Sequence, residues 1–221
     1  MTKAIIFDLD GTLIDGAEDL QAAANALLAT DGLAAIDLAT IKTFIGNGMG
    51  ALVERCYALR GASGLDLAVR SQSFTRIYDA QGRPRTRLFP GVQAALERLC
   101  AGYRLALCTN KDSAQTLAIL RELKLDDVFA CVIAGDTLAT KKPDPEMLRA
   151  AAAGCGAGLR SIVYVGDSEI DAQMCRAAGA AFFLFEGGYR KDSIEAIAPE
   201  VSFADYAKLP DLITGWPLGI D

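Results

Sequence analysis

Acidic side chains set close behind short apolar runs are the first chemistry this sequence offers. Asp8-Leu9-Asp10-Gly11-Thr12 follows Lys3-Ala4-Ile5-Ile6-Phe7. In extended chain Asp8 and Asp10 point to the same side, and two carboxylates so close need a cation or a shared proton between them. Gly11 permits a tight turn and offers a bare N–H to an anion. A second acidic group, Gly166-Asp167-Ser168-Glu169-Ile170-Asp171, follows Ile162-Val163-Tyr164-Val165, with Asp167 at the end of the run and Asp171 at helical spacing from it. Hard oxygen ligands without His or Cys point to Mg²⁺, although Ser168 or Asp171 could equally cap a helix start. Thr109-Asn110 closes the run Leu105–Cys108 and sets a hydroxyl and an amide where phosphate oxygens, or a helix cap, would use them. In Lys141-Lys142-Pro143-Asp144-Pro145-Glu146 a lysine precedes a proline-started helix whose positive end favours an anion. Lys142 is the favoured functional lysine, because Pro143 fixes the chain beside it. Paired acids, a hydroxyl, a lysine and a further acid make a set for phosphoryl transfer: nucleophile, proton donor, phosphate grips and metal.

The composition narrows the alternatives. The 221 residues include no histidine, which removes the Ser-His and Cys-His nucleophile systems and imidazole metal sites. Acid–base work must then fall to carboxylates, Lys, Tyr or a metal. The net charge of −6 argues against nucleic acid as a partner. The six cysteines, Cys56, Cys100, Cys108, Cys131, Cys155 and Cys175, form no CxxC pair and read as reduced thiols packed as small hydrophobes. No apolar run is long enough to cross a membrane, and the first residues lack the pattern of a signal peptide, so a cytoplasmic protein without membrane partners is expected. A hydrophobic fraction of 52% suffices for a sizeable core.

These residues need elements to hold them. Residues 3–7, 104–108, 131–134, 162–165 and 181–185 read as buried strands. Between them lie helical stretches: 113–123, with Leu117, Leu120 and Leu123 on one side, 145–155 and 171–178, the last stopped by Gly179. Such alternation predicts an α/β fold, a parallel sheet with helices on both faces. From about Gly16 to Arg87 strand signals give way to helical stripes: Leu20, Ala23, Ala24 and Leu27, then Ile41, Phe44, Ile45, Leu52, Val53 and Cys56, then Phe74, Ile77 and Tyr78. This is a helical insert within the α/β core. Its exit, Gly82-Arg83-Pro84-Arg85-Thr86-Arg87, reads as a linker whose arginines are a solvated run.

The four motifs in this order resemble the haloacid dehalogenase superfamily, from Phe7 to at least Gly179. The resemblance implies a Rossmann-like core (residues 1–15 and 88–221) and an inserted α-helical cap (16–87). It implies that Asp8 is the nucleophile and forms an aspartyl-phosphate, and that Asp10 protonates the leaving oxygen and then activates water. Thr109 and Lys142 would hold the phosphate, with Gly11 and Asn110 beside them. Mg²⁺ would be bound by Asp8, the Asp10 carbonyl and Asp167, with Asp171 supporting the site. Dehalogenases and phosphonate hydrolases of the superfamily lack a carboxylate at the position of Asp10, and sugar phosphomutases usually have Val where this chain has Thr12. Phosphoglycolate phosphatases usually have Thr there and carry strings similar to Ile45-Gly46-Asn47-Gly48, Leu88-Phe89-Pro90-Gly91-Val92 and Thr109-Asn110-Lys111. The chain departs at Gly16, where many relatives carry Ser. The implied partner is a small phosphorylated metabolite, 2-phosphoglycolate first, acted on by a monomer or homodimer. A phosphomutase, a pyrophosphatase or nucleotide phosphatase, and a non-catalytic binding module are the alternatives. Gly46 and Asn47 are a turn between cap helices or a loop that screens the substrate.

Overall fold

Strand β1 (Ala4–Phe7) alternates its side chains between two hydrophobic clusters, Ile5 and Phe7 into one and Ala4 and Ile6 into the other. That double burial is what a central parallel strand requires. The structure, a computed structural model, describes residues 2–219. Within them β1 is followed by β2 (Ile14–Asp15), then helices α1 (Ala17–Thr30), α2 (Leu38–Phe44), α3 (Met49–Leu59) and α4 (Leu67–Gln81), and then β3 (Arg87–Leu88). The chain continues through α5 (Val92–Cys100), β4 (Arg104–Cys108), α6 (Ser113–Glu122), β5 (Cys131–Ile133), α7 (Glu146–Gly154) and β6 (Ile162–Gly166). It ends with α8 (Glu169–Ala178), β7 (Ala181–Phe185), α9 (Ile194–Ile197), β8 (Val201–Phe203) and α10 (Leu209–Gly215).

Six strands form one parallel sheet in the order β5-β4-β1-β6-β7-β8. Helices α5, α6 and α10 bury Val92, Leu96, Ile119 and Ile213 on one face, while α7 and α8 bury Met147, Leu148 and Met174 on the other. Each large apolar side chain so enclosed contributes about 1.5–3 kcal/mol. This is the α/β architecture expected. All five expected strands are present, and β2, β3 and β8 are additions too short to carry a periodic signal.

Two expectations about surfaces are corrected. In α6 the buried face is Gln115, Thr116, Ile119 and Leu120, and Leu117 is exposed. Arg83 is not solvated: its side chain is 7% exposed, pairs with Glu122 at 2.6 Å and lies over the Tyr78 ring.

Helices α1 to α4 share a third cluster that includes Leu20, Leu27, Ile41, Leu52, Phe74 and Tyr78. The stripe from Ile41 to Cys56 belongs to two helices, because Gly46-Asn47-Gly48 separates α2 from α3. Gly48 has φ of +87°, and a Cβ there would come within 3.0 Å of the Asn110 carbonyl oxygen. The chain enters the helical segment through β2 and leaves through β3, and these two pair antiparallel, Ile14 with Leu88 and Asp15 with Arg87. Buried Asp19, in the first turn of α1, accepts from the backbone N–H groups of Arg85 and Thr86 and from the Thr86 hydroxyl. No helix of the described residues is long and apolar enough to cross a membrane.

Candidate active site

The ladder hydrogen bonds run on past the strand ends: Asp8 N–H donates to the Val165 carbonyl and Thr109 N–H to the Ile133 carbonyl, both at 2.9 Å. Asp8, Thr109 and Asp167 therefore emerge from three neighbouring strands at the carboxyl edge of the sheet, the usual ligand position in such sheets.

Lys142 joins the motifs. Its Nζ lies 2.8 Å from Asp8 Oδ1 and 2.8 Å from Asp171 Oδ1, and donates to the Tyr164 hydroxyl at 3.0 Å. Burial alone would lower the pKa of this ammonium, but Asp171 and Asp8 outweigh it and raise it, so Lys142 stays charged. Asp8 is pushed up to about 6, chiefly by burial, with Lys142 acting against the rise and Asp171 adding to it. Asp167 is held well above the usual carboxylate range by burial, then by Asp171 and Asp8.

The donor set suits a small hard cation. Asp8, Asp167 and Asp171 each offer an oxygen within 4.8 Å of the others. Asp8 Oδ1 is buried and receives no aligned hydrogen bond, as does Asp10 Oδ1. Three crowded carboxylates facing one lysine leave a charge imbalance that a divalent cation would relieve. The three are not equivalent, however. Asp171 Oδ1 accepts from Lys142 and Tyr164, and Oδ2 accepts from the backbone N–H groups of Asp167 and Ser168 and from the Ser168 hydroxyl. Its side chain also completes a capping box with Ser168. The helix-cap reading of Asp171 is therefore met, and both oxygens of its carboxylate are already engaged. Asp167 is held by Thr12 Oγ1 at 3.0 Å and by the N–H of Tyr189 at 2.6 Å.

Three other expected site residues have different work. Gly11 donates its N–H to the Ile14 carbonyl at 2.9 Å, so it is not a free anion donor. It is glycine because φ is +87° and a Cβ would fall 2.4 Å from Asp167 Oδ2. Asn110 spends its side chain on protein: Nδ2 donates to the Gly46 and Lys142 carbonyls, and Oδ1 accepts the Lys142 N–H at 2.8 Å. Its side chain thus positions Lys142 and the helical segment, and the residue also lines the cavity beside Thr109. Asn47 Oδ1 accepts from Arg55 at 2.6 Å, which holds the loop from behind, whereas Gly46 reaches the site. Thr109 accepts the Lys111 N–H on its hydroxyl at 3.3 Å and lines the same cavity as Asp8 and Asp10.

That cavity, about 30 Å³, lies between the sheet edge and the helical segment. Leu20, Ile45, Met49 and Leu52 supply its apolar walls and Lys111 its cation. Lys111 Nζ is 2.8 Å from Asp10 Oδ2. Sequence reasoning gave Lys111 no role, although it adjoins Thr109-Asn110. It also passed over Tyr189, whose hydroxyl donates to Asp15 Oδ1 at 2.7 Å and accepts the Gly16 N–H. A tyrosine after the last motif carries no spacing signal.

Comparison with known proteins agrees with this geometry. The family model of the haloacid dehalogenase-like hydrolases matches residues 5–185. A phosphoglycolate phosphatase of Cereibacter sphaeroides is 42% identical, covering 95% of this chain and 96% of its own. One from Rhodobacter capsulatus is 40% identical, covering 98% and 99%. A crystal structure described as a predicted phosphoglycolate phosphatase from Haemophilus somnus superposes with a TM-score of 0.90 at 29% identity, over 96% of this chain and 98% of that one. With its parallel sheet, its strand-end acids and these relatives, the chain belongs to the haloacid dehalogenase-like hydrolase family and is an enzyme of the phosphatase kind.

Proposed function

We propose that the protein is a Mg²⁺-dependent phosphatase of small phosphomonoesters, working in the cytoplasm through an aspartyl-phosphate on Asp8, with 2-phosphoglycolate as its substrate. The observation that carries this is Asp8 itself: a buried carboxylate whose Oδ1 lies 2.8 Å from the Lys142 ammonium and which lines one cavity with Asp10. We assign the core to residues 1–15 and 88–221 and the cap to 16–87; of these, Met1, Ile220 and Asp221 lie outside the described residues.

An Asp8 oxygen attacks phosphorus and the bond from phosphorus to the ester oxygen breaks. Asp10, which faces Lys111 as a carboxylate in the free enzyme, takes up a proton from solvent as substrate binds and gives it to the departing oxygen, because an alkoxide is a poor leaving group without one. Asp10, now a carboxylate, takes a proton from water, which attacks the aspartyl-phosphate; phosphate leaves and the Asp8 carboxylate returns. Lys142 offsets negative charge on the phosphoryl oxygens while keeping Asp8 in line, and the Thr109 hydroxyl, which lines the same cavity, donates to one of them. Mg²⁺, held by Asp8, Asp167 and the Asp10 carbonyl with Asp171 behind them, would supply further charge neutralisation for the transferring phosphoryl group. The names of the relatives support 2-phosphoglycolate as the substrate.

The test is phosphate release from a panel containing 2-phosphoglycolate, pyrophosphate and sugar phosphates, with Mg²⁺ and with EDTA. Metal-dependent release, fastest from 2-phosphoglycolate, is expected. An isomerised sugar phosphate without free phosphate would mark a phosphomutase, and EDTA-resistant turnover would contradict the metal assignment.

A further inference from the structure

Lys111 stands apart from the phosphate-handling residues. It follows β4 in the chain, yet it lines the cavity beside Asp10, and its ammonium lies 5.3 Å from the ring of Tyr78 on α4. Its side chain is 2% exposed. Among the described residues lining the cavity it is the single cation, set against the apolar side chains of α1 and α3 and the loop between α2 and α3. The other candidates are committed or remote. Lys142 is held by Asp8 and Asp171, Arg55 by the Phe44 carbonyl and Asn47, and Lys141 is exposed near Asp112.

We infer that Lys111 is the specificity residue for the leaving group and recognises a carboxylate carried on it, exchanging its contact with Asp10 for one with the substrate. The inference rests on the phosphatase reading above and adds which part of the ester is read and by what. A buried ammonium needs an anionic partner. Before substrate binds, Asp10 Oδ2 is that partner at 2.8 Å. A leaving group with a carboxylate about two bonds from the ester oxygen would bring an equivalent anion into the same cavity. The ammonium can then turn from Asp10 to the substrate without losing its partner, which leaves the Asp10 oxygen facing the ester oxygen. An ester ending in a methyl group offers Lys111 nothing and lacks that exchange.

The experiment compares 2-phosphoglycolate with ethyl phosphate, which replaces the carboxylate by a methyl group, in wild type, Lys111→Gln and Lys111→Arg. Wild type is expected to favour 2-phosphoglycolate by about 100-fold or more in kcat/KM, since a buried charged group left without its partner rejects the analogue strongly. In Lys111→Gln both esters slow through the altered surroundings of Asp10, but the ratio between them is expected to fall by about 30-fold or more, mainly because the carboxylate ester binds more weakly and its KM rises. Lys111→Arg should keep most of the ratio. An unchanged ratio in Lys111→Gln, with kcat reduced equally for both esters, would make Lys111 only a positioning residue for Asp10 and overturn the inference. If Lys111→Gln does not fold, the wild-type ratio decides alone: equal kcat/KM for the two esters also overturns it. Failure of wild type to release phosphate from either ester would remove the phosphatase reading and this inference with it.

Discussion

The two buried lysines of the site are held in opposite ways. Lys142 is gripped by two carboxylates, a tyrosine hydroxyl and, through its backbone, Asn110, all from the core. Lys111 has one carboxylate and the ring of a tyrosine from the helical segment. A group with several partners cannot leave one without disturbing the rest, whereas a group with one can exchange it. On the proposed function, the side of the cavity assigned to phosphate is therefore fixed before substrate arrives, as electrostatic preorganisation requires, and the side assigned to the leaving group can adapt.

The hardest break in this contrast is at the fixed side. Asp8→Asn removes the nucleophile's charge with little change of shape, so we expect turnover to fall by about 10⁴-fold or more while the melting temperature is retained. Normal turnover by that variant would end the covalent mechanism. Lys142→Met is expected to slow kcat by about 100- to 1,000-fold. In the metal-free protein it should also cost about 3–5 kcal/mol, because Asp8 and Asp171 lose their shared cation. Urea unfolding without metal measures the second effect, and a variant as stable as wild type would show the grip to be looser than its geometry. Next is pH. Burial, with Asp171, raises Asp8 to about 6 against the opposing pull of Lys142, so below pH 6 a cation must displace a proton from it. Mg²⁺ affinity should weaken as pH falls through 6, by about tenfold per pH unit for each proton displaced. Calorimetric titration at pH 7.5 and 5.5 would reveal it, and equal affinities would refute the displacement. The smallest effects belong to the helical segment. Asp19→Ala leaves the Arg85 and Thr86 N–H groups without their acceptor and should cost about 1–3 kcal/mol. Arg83→Gln, whose partner Glu122 is half exposed, should cost about 1 kcal/mol or less. Neither should alter kcat as Lys142→Met does.

The sequence disclosed most about the fixed side. Asp8, Thr109 and Asp167 each stand just past a strand, where apolar runs stop abruptly and chemistry begins, and Lys142 stands in a proline-rich motif just before α7. Five core strands were legible for the same reason: a strand buried on both faces must be apolar at every position. The adaptable side was harder to read. Lys111 looks like any surface lysine until the fold brings α4 and Asp10 around it. Tyr189 acts across 174 residues, on Asp15. Arg83 shares a polar run with Arg85 and Arg87, and only the approach of Glu122 on α6 sets it apart. Gly11 and Asn110 were found by motif, but their work depends on neighbours that spacing does not name, the Ile14 carbonyl for one and the Gly46 and Lys142 carbonyls for the other.

The short β2–β3 ribbon has a consequence for how such a chain can change over generations. The helical segment departs and returns at adjoining points, Ile14 beside Leu88, with Asp19 fastening the returning strand to the departing helix. The six-stranded sheet thus meets the insertion as one closed junction rather than as two separate attachments. A replacement segment needs only ends that meet there, since loop length between fixed ends changes closure entropy slowly. Substitution, lengthening or exchange of the helices can proceed while the strand-end carboxylates keep their positions. On the proposed reading, the apolar walls around a leaving group can be recast by trading one cassette, while Lys111 and the strand-end acids stay where the sheet sets them.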